Sequence, residues 1–405
     1  MFKLKNAWLL TAFLSFHGMG LAADWPQFRG PGGSAVSTED NIPVQWSAKD
    51  GIAWKVPLPG RGLSCPVVAK DRLYLTSSSG YKESRLHVLA FDPKNGAKLW
   101  ERQFQSTGNT TCHPKTCMAA PTPVTDGERV FALFACGDVA ALDRDGNLLW
   151  YRSLATDYPD ITNMVGMASS PALWKDVLIL PMDNAGDSFV LAIDAKTGKN
   201  LWKLERPRTI NWTTPLVADH VAKGANVVLQ TDNSLVSVDA NTGKEVWSIS
   251  TTGPTTIPSP TLSDGLLLAP GKETLVLDPS NNGNAPALKW KSSKLVGGYA
   301  SPLVHKGVVY GMSSIGLNAM DARDGKEIGQ IRMKGPCSGS PIIAGNHLYL
   351  VNEEGTGYVV KLGEKLELVY TNELKDTILC TPAIHNGKMY LRSDSSLYCI
   401  GNAAK

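Results

Sequence analysis

Ala90-Phe-Asp92-Pro-Lys-Asn-Gly96-Ala-Lys-Leu-Trp100 returns as Ala192-Ile-Asp194-Ala-Lys-Thr-Gly198-Lys-Asn-Leu-Trp202 and again as Ser237-Val-Asp239-Ala-Asn-Thr-Gly243-Lys-Glu-Val-Trp247, so the chain is an array. A period of about 40 to 50 residues holding several short strands is the mark of a propeller blade, a sheet that buries its faces only against its neighbours. A second marker counts the units. A small residue followed by proline opens an apolar run at Pro66, Pro123, Pro171, Pro215, Pro260, Pro302, Pro341 and Pro382. Eight openings predict an all-β, eight-bladed propeller of four-stranded antiparallel blades. The residue before each proline is Cys65, Thr122, Ser170, Thr214, Ser259, Ser301, Ser340 or Thr381. Its size reads as a steric demand where inner strands converge on the axis.

Within blade 1, alternation and turn signals place strands over Val67 to Ala69, Arg72 to Thr76, Leu86 to Phe91 and Lys98 to Gln103. Asp92-Pro-Lys-Asn-Gly96 reads as a tight hairpin whose Asp binds turn amides and whose Gly takes positive φ. The Trp four residues later is expected to wedge between adjacent blades, which gives a structural docking set of Trp54, Trp100, Trp150, Trp202, Trp247 and Trp290. Gly329 stands at that position in blade 6, and Leu366 to Tyr370 offer no counterpart in blade 7, so those two blades are expected to dock more weakly. The last unit ends without an outer strand of its own. Ile52-Ala-Trp54-Lys-Val56 carries the outer-strand pattern ahead of the first blade and is expected to close the ring, covering an edge that would otherwise aggregate.

The expected organisation is a secretory leader over 1–23, an N-terminal extended segment over 24–43, and the propeller over 44–405, with 44–57 as the closing outer strand. Lys3 and Lys5 precede an apolar stretch from Ala7 to Phe16, and small residues follow at Gly20 to Ala23. The leader is too short and too broken for a membrane span, and it carries no lipoprotein cysteine. The expectation is an exported protein, periplasmic or secreted, monomeric and without a transmembrane segment. A formal net charge of +3, with no basic run, argues against nucleic acid as a partner.

Seven cysteines leave at least one unpaired. Cys112-His113-Pro114-Lys115-Thr116-Cys117-Met118 has three readings: a local Cys112–Cys117 disulfide, free structural thiols, or a soft-metal site. Cys399 occupies the repeat position of Ala90, Ala192 and Ser237 and reads as a packed small residue. Cys380 sits near the ring closure, where it can approach Cys65.

The repeat is broken unequally. Trp100 to Pro123 and Trp150 to Pro171 are each longer by about ten residues than Trp202 to Pro215. Because strands alternate in direction, these connections share a face with the long second-to-third strand loops at Ser77 to Ser84 and Met182 to Ser188. Loops on a rigid scaffold are where binding groups usually sit. The candidate partner-binding set on that face is His113, Lys115, Asn163, Arg206, Arg208, Asn211 and Trp212. Arg206-Pro-Arg208 suits an anion or else a solvated turn, Trp212 suits stacking on a planar group, and Met164 and Met167 read as packing beneath a loop.

The Ala/Ser-x-Asp-x-x-x-Gly-x-x-x-Trp units resemble the tryptophan-docking repeat of the pyrroloquinoline quinone (PQQ-like, WD40-like) propeller family, in full in blades 1, 3 and 4 and in part in blades 2, 5 and 6. Asp24-Trp25-Pro-Gln-Phe28-Arg29-Gly30-Pro31 is similar to the start of many exported bacterial proteins of this class. The resemblance implies one of two branches. In the quinoprotein dehydrogenases, the quinone and a calcium ion lie in the funnel. The non-catalytic branch resembles the BamB subunit of the outer-membrane assembly machinery. The enzyme branch is marked by a vicinal cysteine pair and by carboxylates for calcium, and this sequence has no Cys-Cys and few acids in the funnel-side loops. The expectation is therefore a non-enzymatic scaffold that binds a protein or peptide, without catalytic residues, cofactor or metal. The alternatives are a quinone-dependent oxidoreductase with PQQ and calcium, and a metal or small-molecule binding module.

Overall fold

The computed structural model describes residues 24–222, 224–253, 256–280 and 284–402; the expected leader lies outside the described residues. Among the described residues, its strands form eight sheets, seven of four strands and one, in blade 7, of five. Blade 1 holds Val67–Ala69, Arg72–Ser79, Arg85–Phe91 and Lys98–Gln105, its outer three strands longer than sequence signals indicate. Blades 2 to 7 occupy 124–153, 172–205, 216–250, 261–292, 303–332 and 342–373. Blade 8 takes three strands from 383–400, and Ile52–Pro57 pairs antiparallel with Ser396–Ile400 as its outer strand. Trp54 stands opposite Cys399 there, as Trp100 stands opposite Ala90 and Trp202 opposite Ala192. The two termini close the ring in the register of the repeat.

The docking tryptophans reach their seams through a device that sequence reading missed. In every outer strand the register slips by one residue just before the docking position. Such a bulge bends the strand and re-aims the next side chain. It throws Leu99, Leu149, Leu201 and Val246 outward, where they are exposed, and turns the following Trp into the seam. There the indole covers the hairpin glycine of the next blade. Trp54 lies against Gly96, Trp100 against Gly146, Trp150 against Gly198, Trp202 against Gly243 and Trp290 against Gly325, each so close that a Cβ on the glycine would meet the ring within 2.9 Å. Each of these five indoles also donates to a carbonyl of that neighbouring turn, at 2.9 to 3.3 Å. Trp247 is buried among Leu267, Ala269 and Leu277 of blade 5.

Blade 7 corrects the sequence reading. Tyr370 holds the tryptophan position, opposite Val359, so a counterpart exists. The blade is also clasped on both edges by the N-terminal segment. Val36–Ser37 adds a parallel strand beside Ile343 and Ala344 at the inner edge, Ser47 bridges to Glu373 at the outer edge, and Trp46 packs on Gly357.

That segment does more than extend. Trp25 pairs with Val68 of blade 1, and the Pro26 carbonyl accepts from Thr125 of blade 2. Arg29, 1% exposed, donates to Thr261 Oγ1 of blade 5 at 2.6 Å and to the Pro302 carbonyl at 2.7 Å. Glu39 accepts from the amides of Asn386 and Gly387 of blade 8. Residues 24–39 therefore cross the ring on the side of the inner-strand turns and plug it. Phe28 points from the plug into the cavity on the other side.

Candidate functional site: the axial funnel and its loop rim

The eight pre-proline residues line one axial cavity of about 290 Å³ whose floor includes Phe28. The plug covers one end of this cavity, and the looped face lies at the other. The reason for the small pre-proline residues is chemical as well as steric. The amide of Cys65 donates to Thr122 Oγ1, Thr122 to Ser170, Ser170 to Thr214, Thr214 to Ser259, Ser259 to Ser301, Ser301 to Ser340, Ser340 to Thr381, and Thr381 to the Cys65 sulfur, at 2.9 to 3.2 Å. Each blade thus satisfies a backbone amide of the blade before it, and the belt runs around the ring without a gap.

The two enlarged connections meet over the mouth. His113 N donates to the Val165 carbonyl at 3.1 Å, and Thr116 Oγ1 to the same oxygen at 2.7 Å. Arg61 holds the first insert from the side, donating to the carbonyls of Thr116 at 2.8 Å and Pro114 at 2.7 Å. Lys115 then spans to blade 7, its ammonium 2.9 Å from both oxygens of Glu353 and over the Tyr299 ring. Ser338 donates to Glu353 at 2.7 Å, which fixes the far end of this strap.

The structure divides the candidate residues. His113, Lys115 and Trp212 line the cavity together. The Trp212 indole donates to Gly166 O at 2.7 Å, tying the third connection to the second insert. Arg208 is exposed on the rim. Arg206 and Asn211 require correction. Arg206, 9% exposed, forms a two-point ion pair with Asp183 at 3.1 and 3.2 Å, and Asn211 donates to the same carboxylate at 2.5 Å and to Gln230 O at 2.9 Å. A buried arginine needs such a partner, so both side chains are spent inside the protein. Asn163 is also buried, its Oδ1 accepting from Val165 N at 2.9 Å. Met167 packs among blade 2 and 3 residues, whereas Met164 is exposed.

The Cys112–Cys117 disulfide, one of the three readings of this stretch, is not formed; all seven cysteines are thiols. Cys117 turns into the blade 1 and 2 core, while Cys112 lies half-buried against Gly166. Burial pushes both thiols up, Cys117 to about 12. Among the described residues, no three His, Cys, Asp or Glu side chains gather as metal ligands would. The calcium that accompanies a quinone takes roughly 6 to 8 oxygen ligands, yet among the described residues no carboxylate lines the cavity, and the Lys115 ammonium on its lining is engaged by Glu353. The residues present do not fit that pair.

Tyr81, Met164 and Ile315, beyond the funnel, and Tyr299, on its lining, are large apolar side chains exposed by 81%, 62%, 48% and 39%. All four stand on connections of the looped face, outside the outer-strand bulge pattern. Nothing in the repeat singles them out, which is why sequence reading passed over three of them. Among the described residues, no helix is long and apolar enough to cross a membrane.

Residues 26–186 match the family model described as outer membrane protein assembly factor BamB. The chain is similar to BamB of Moranella endobia (strain PCIT), 27% identical over 45% of this chain and 44% of that protein, so the match spans less than half of the relative. Among solved structures it is similar to BamB from Moraxella catarrhalis, with a TM-score of 0.63, 15% identity and coverage of 86% of this chain and 97% of that one. It is similar also to quinohemoprotein alcohol dehydrogenase from Comamonas testosteroni, with a TM-score of 0.68, 15% identity and coverage of 94% and 81%. At such identities the structural likeness establishes the fold.

Proposed function

We propose that this chain, a PQQ-like β-propeller, is an exported scaffold that binds a protein segment across its looped face, over the mouth of the axial funnel. The observation that carries the reading is the set of exposed apolar side chains on that face, Tyr81, Met164, Tyr299 and Ile315. Large exposed apolar groups that share the looped face of a folded domain offer contact surface to a protein partner. The similarity to an outer membrane protein assembly factor supports a partner among proteins destined for, or resident in, the outer membrane. Export itself is supported by Lys3 and Lys5 followed by the apolar stretch from Ala7 to Phe16. No cofactor takes part in this reading.

Quinone-dependent oxidation is the competing reading, favoured by the fold likeness to an alcohol dehydrogenase. The acid-free cavity weighs against it. Affinity capture from the native cell envelope distinguishes the two. Tyr81→Ser, Met164→Ser and Tyr299→Ser combined should abolish recovery of partners that the parent protein retains. Lys94→Ala, Lys196→Ala and Asn241→Ala on the opposite hairpins should not. Loss with the second set and retention with the first would place binding on the other face, and a quinone spectrum in the purified protein would favour the enzyme.

A further inference from the structure

The hydroxyl belt contains one thiol, and that thiol has a second one beside it. Cys65 Sγ accepts from Thr381 N at 3.2 Å. The residue before Thr381 is Cys380, whose Sγ donates to the Arg392 carbonyl at 3.2 Å and hydrogen-bonds with the Cys65 thiol. Both cysteines are 3% exposed and both line the funnel. Cys65 belongs to blade 1 and Cys380 to blade 8, so the pair straddles the seam at which the ring closes.

The third member of the cluster is the guanidinium of Arg392, which is 1% exposed. Its hydrogen bonds go to neutral oxygens: Ser64 Oγ at 2.7 Å, Thr76 O and Ser77 Oγ at 2.8 Å. A buried cation bonded only to neutral groups favours negative charge nearby. Its electrostatic neighbours are Cys117, Cys380, the Asp394 carboxylate and Cys65. A thiol next to a cation and open to a cavity is the setting of a reactive cysteine.

We propose that Cys65 and Cys380 are a redox-active dithiol that closes into a disulfide across the blade 8–blade 1 seam, with a small organic disulfide entering through the funnel as oxidant. The Cys65 thiolate attacks one sulfur of the reagent, whose S–S bond breaks and releases the first thiolate. Cys380 passes its proton to that thiolate and attacks the Cys65 sulfur of the mixed disulfide, and the second thiolate leaves, taking up from solvent the proton that Cys65 gave up on ionising. Two protein thiols are oxidised and one reagent disulfide is reduced to two thiols. The order of attack follows the environment. Burial raises Cys65, but hydrogen bonds with Cys380, Thr122 and Thr381 outweigh it and bring the thiol down, whereas the bond with Cys65 and burial hold Cys380 up. The bond would join positions far apart in the chain and fasten the closure strand's blade to its neighbour.

The test uses the whole mature protein, reduced and then treated with hydroxyethyl disulfide. The expected result is loss of two of the seven thiols, a mapped peptide pair joining Cys65 to Cys380, and a rise in melting temperature on the order of 5–10 °C. Cys65→Ser restores the residue found at Ser170 and Ser259, so it folds; it should keep the melting temperature of the reduced parent under both conditions. A thiol count that stays at seven, a bond between other cysteines, or a mixed disulfide that Cys380 never resolves would overturn the proposal.

Discussion

The indole of Trp202 lies across the hairpin of the next blade, so close to Gly243 that a Cβ there would sit 2.7 Å from the ring, while its Nε1 donates to Ala240 O at 2.9 Å. Gly243 also has a φ of +68°, which L side chains rarely adopt. The two residues are one joint. Trp202→Ala should cost about 3–5 kcal/mol in chemical denaturation by removing a buried aromatic from the seam. Gly243→Ala should be destabilising in the parent and less so in Trp202→Ala, because the clash is gone and the φ strain remains. Simple additivity in that cycle would mean that the ring does not bear on the glycine.

The belt predicts a graded response. Ser301→Ala leaves the amide of Ser259 buried and unpaired, which should cost about 1–3 kcal/mol by urea unfolding. Ser301→Thr keeps the acceptor, as Thr122, Thr214 and Thr381 do in their blades, and should cost less. Equal losses would return the small pre-proline residue to a purely steric role.

Deleting residues 24–57 removes the plug, the clasp on blade 7 and the outer strand of blade 8 together. The edge of Ser396–Ile400 is then unpaired, so melting should fall sharply and gel filtration should show oligomers. A monomer with unchanged melting would refute closure by the N-terminal strand.

A relay in blade 1 sets an acid limit. His87 is buried, with one ring nitrogen 2.7 Å from Ser79 Oγ and the other 2.8 Å from Glu101 Oε1. Burial raises the Glu101 carboxyl, but hydrogen bonds from Lys98, His87 and Gln103 outweigh it and hold the group at about 2, against an ordinary 4.5. The folded state binds this proton less readily than the unfolded one, so the contribution is full above 4.5 and lost as pH falls through 2. Glu101→Gln should lower stability clearly at about pH 6 and little at about pH 2.5. A deficit that does not change with pH would remove the carboxylate from the account.

The count of blades, the closing strand and the six docking tryptophans were legible because each is written in a local pattern that repeats. The belt was visible only as small residues, since its hydrogen bonds join positions such as Thr122 and Ser170 that meet only once the ring exists. The bulge left no signal, because Leu99 and Leu201 look like ordinary strand residues until the register is known. Residues 24–43 repeat nothing, so the plug built on Trp25 and Arg29 reads from sequence as an extended segment. Of the candidate residues drawn from insert lengths, His113, Lys115 and Trp212 lie together on the cavity lining. The Arg206 ion pair left no signal in the sequence, because its partner Asp183 comes from another loop.

The most direct measurement is photo-cross-linking in the native cell envelope from single positions. With the photoreactive residue at Tyr81 or Tyr299, on the looped face, the account predicts a discrete covalent adduct with another protein. With it at Lys196 or Asn241, in the opposite hairpins, it predicts none. Adducts from Lys196 or Asn241, with none from Tyr81 or Tyr299, would contradict binding across the funnel mouth.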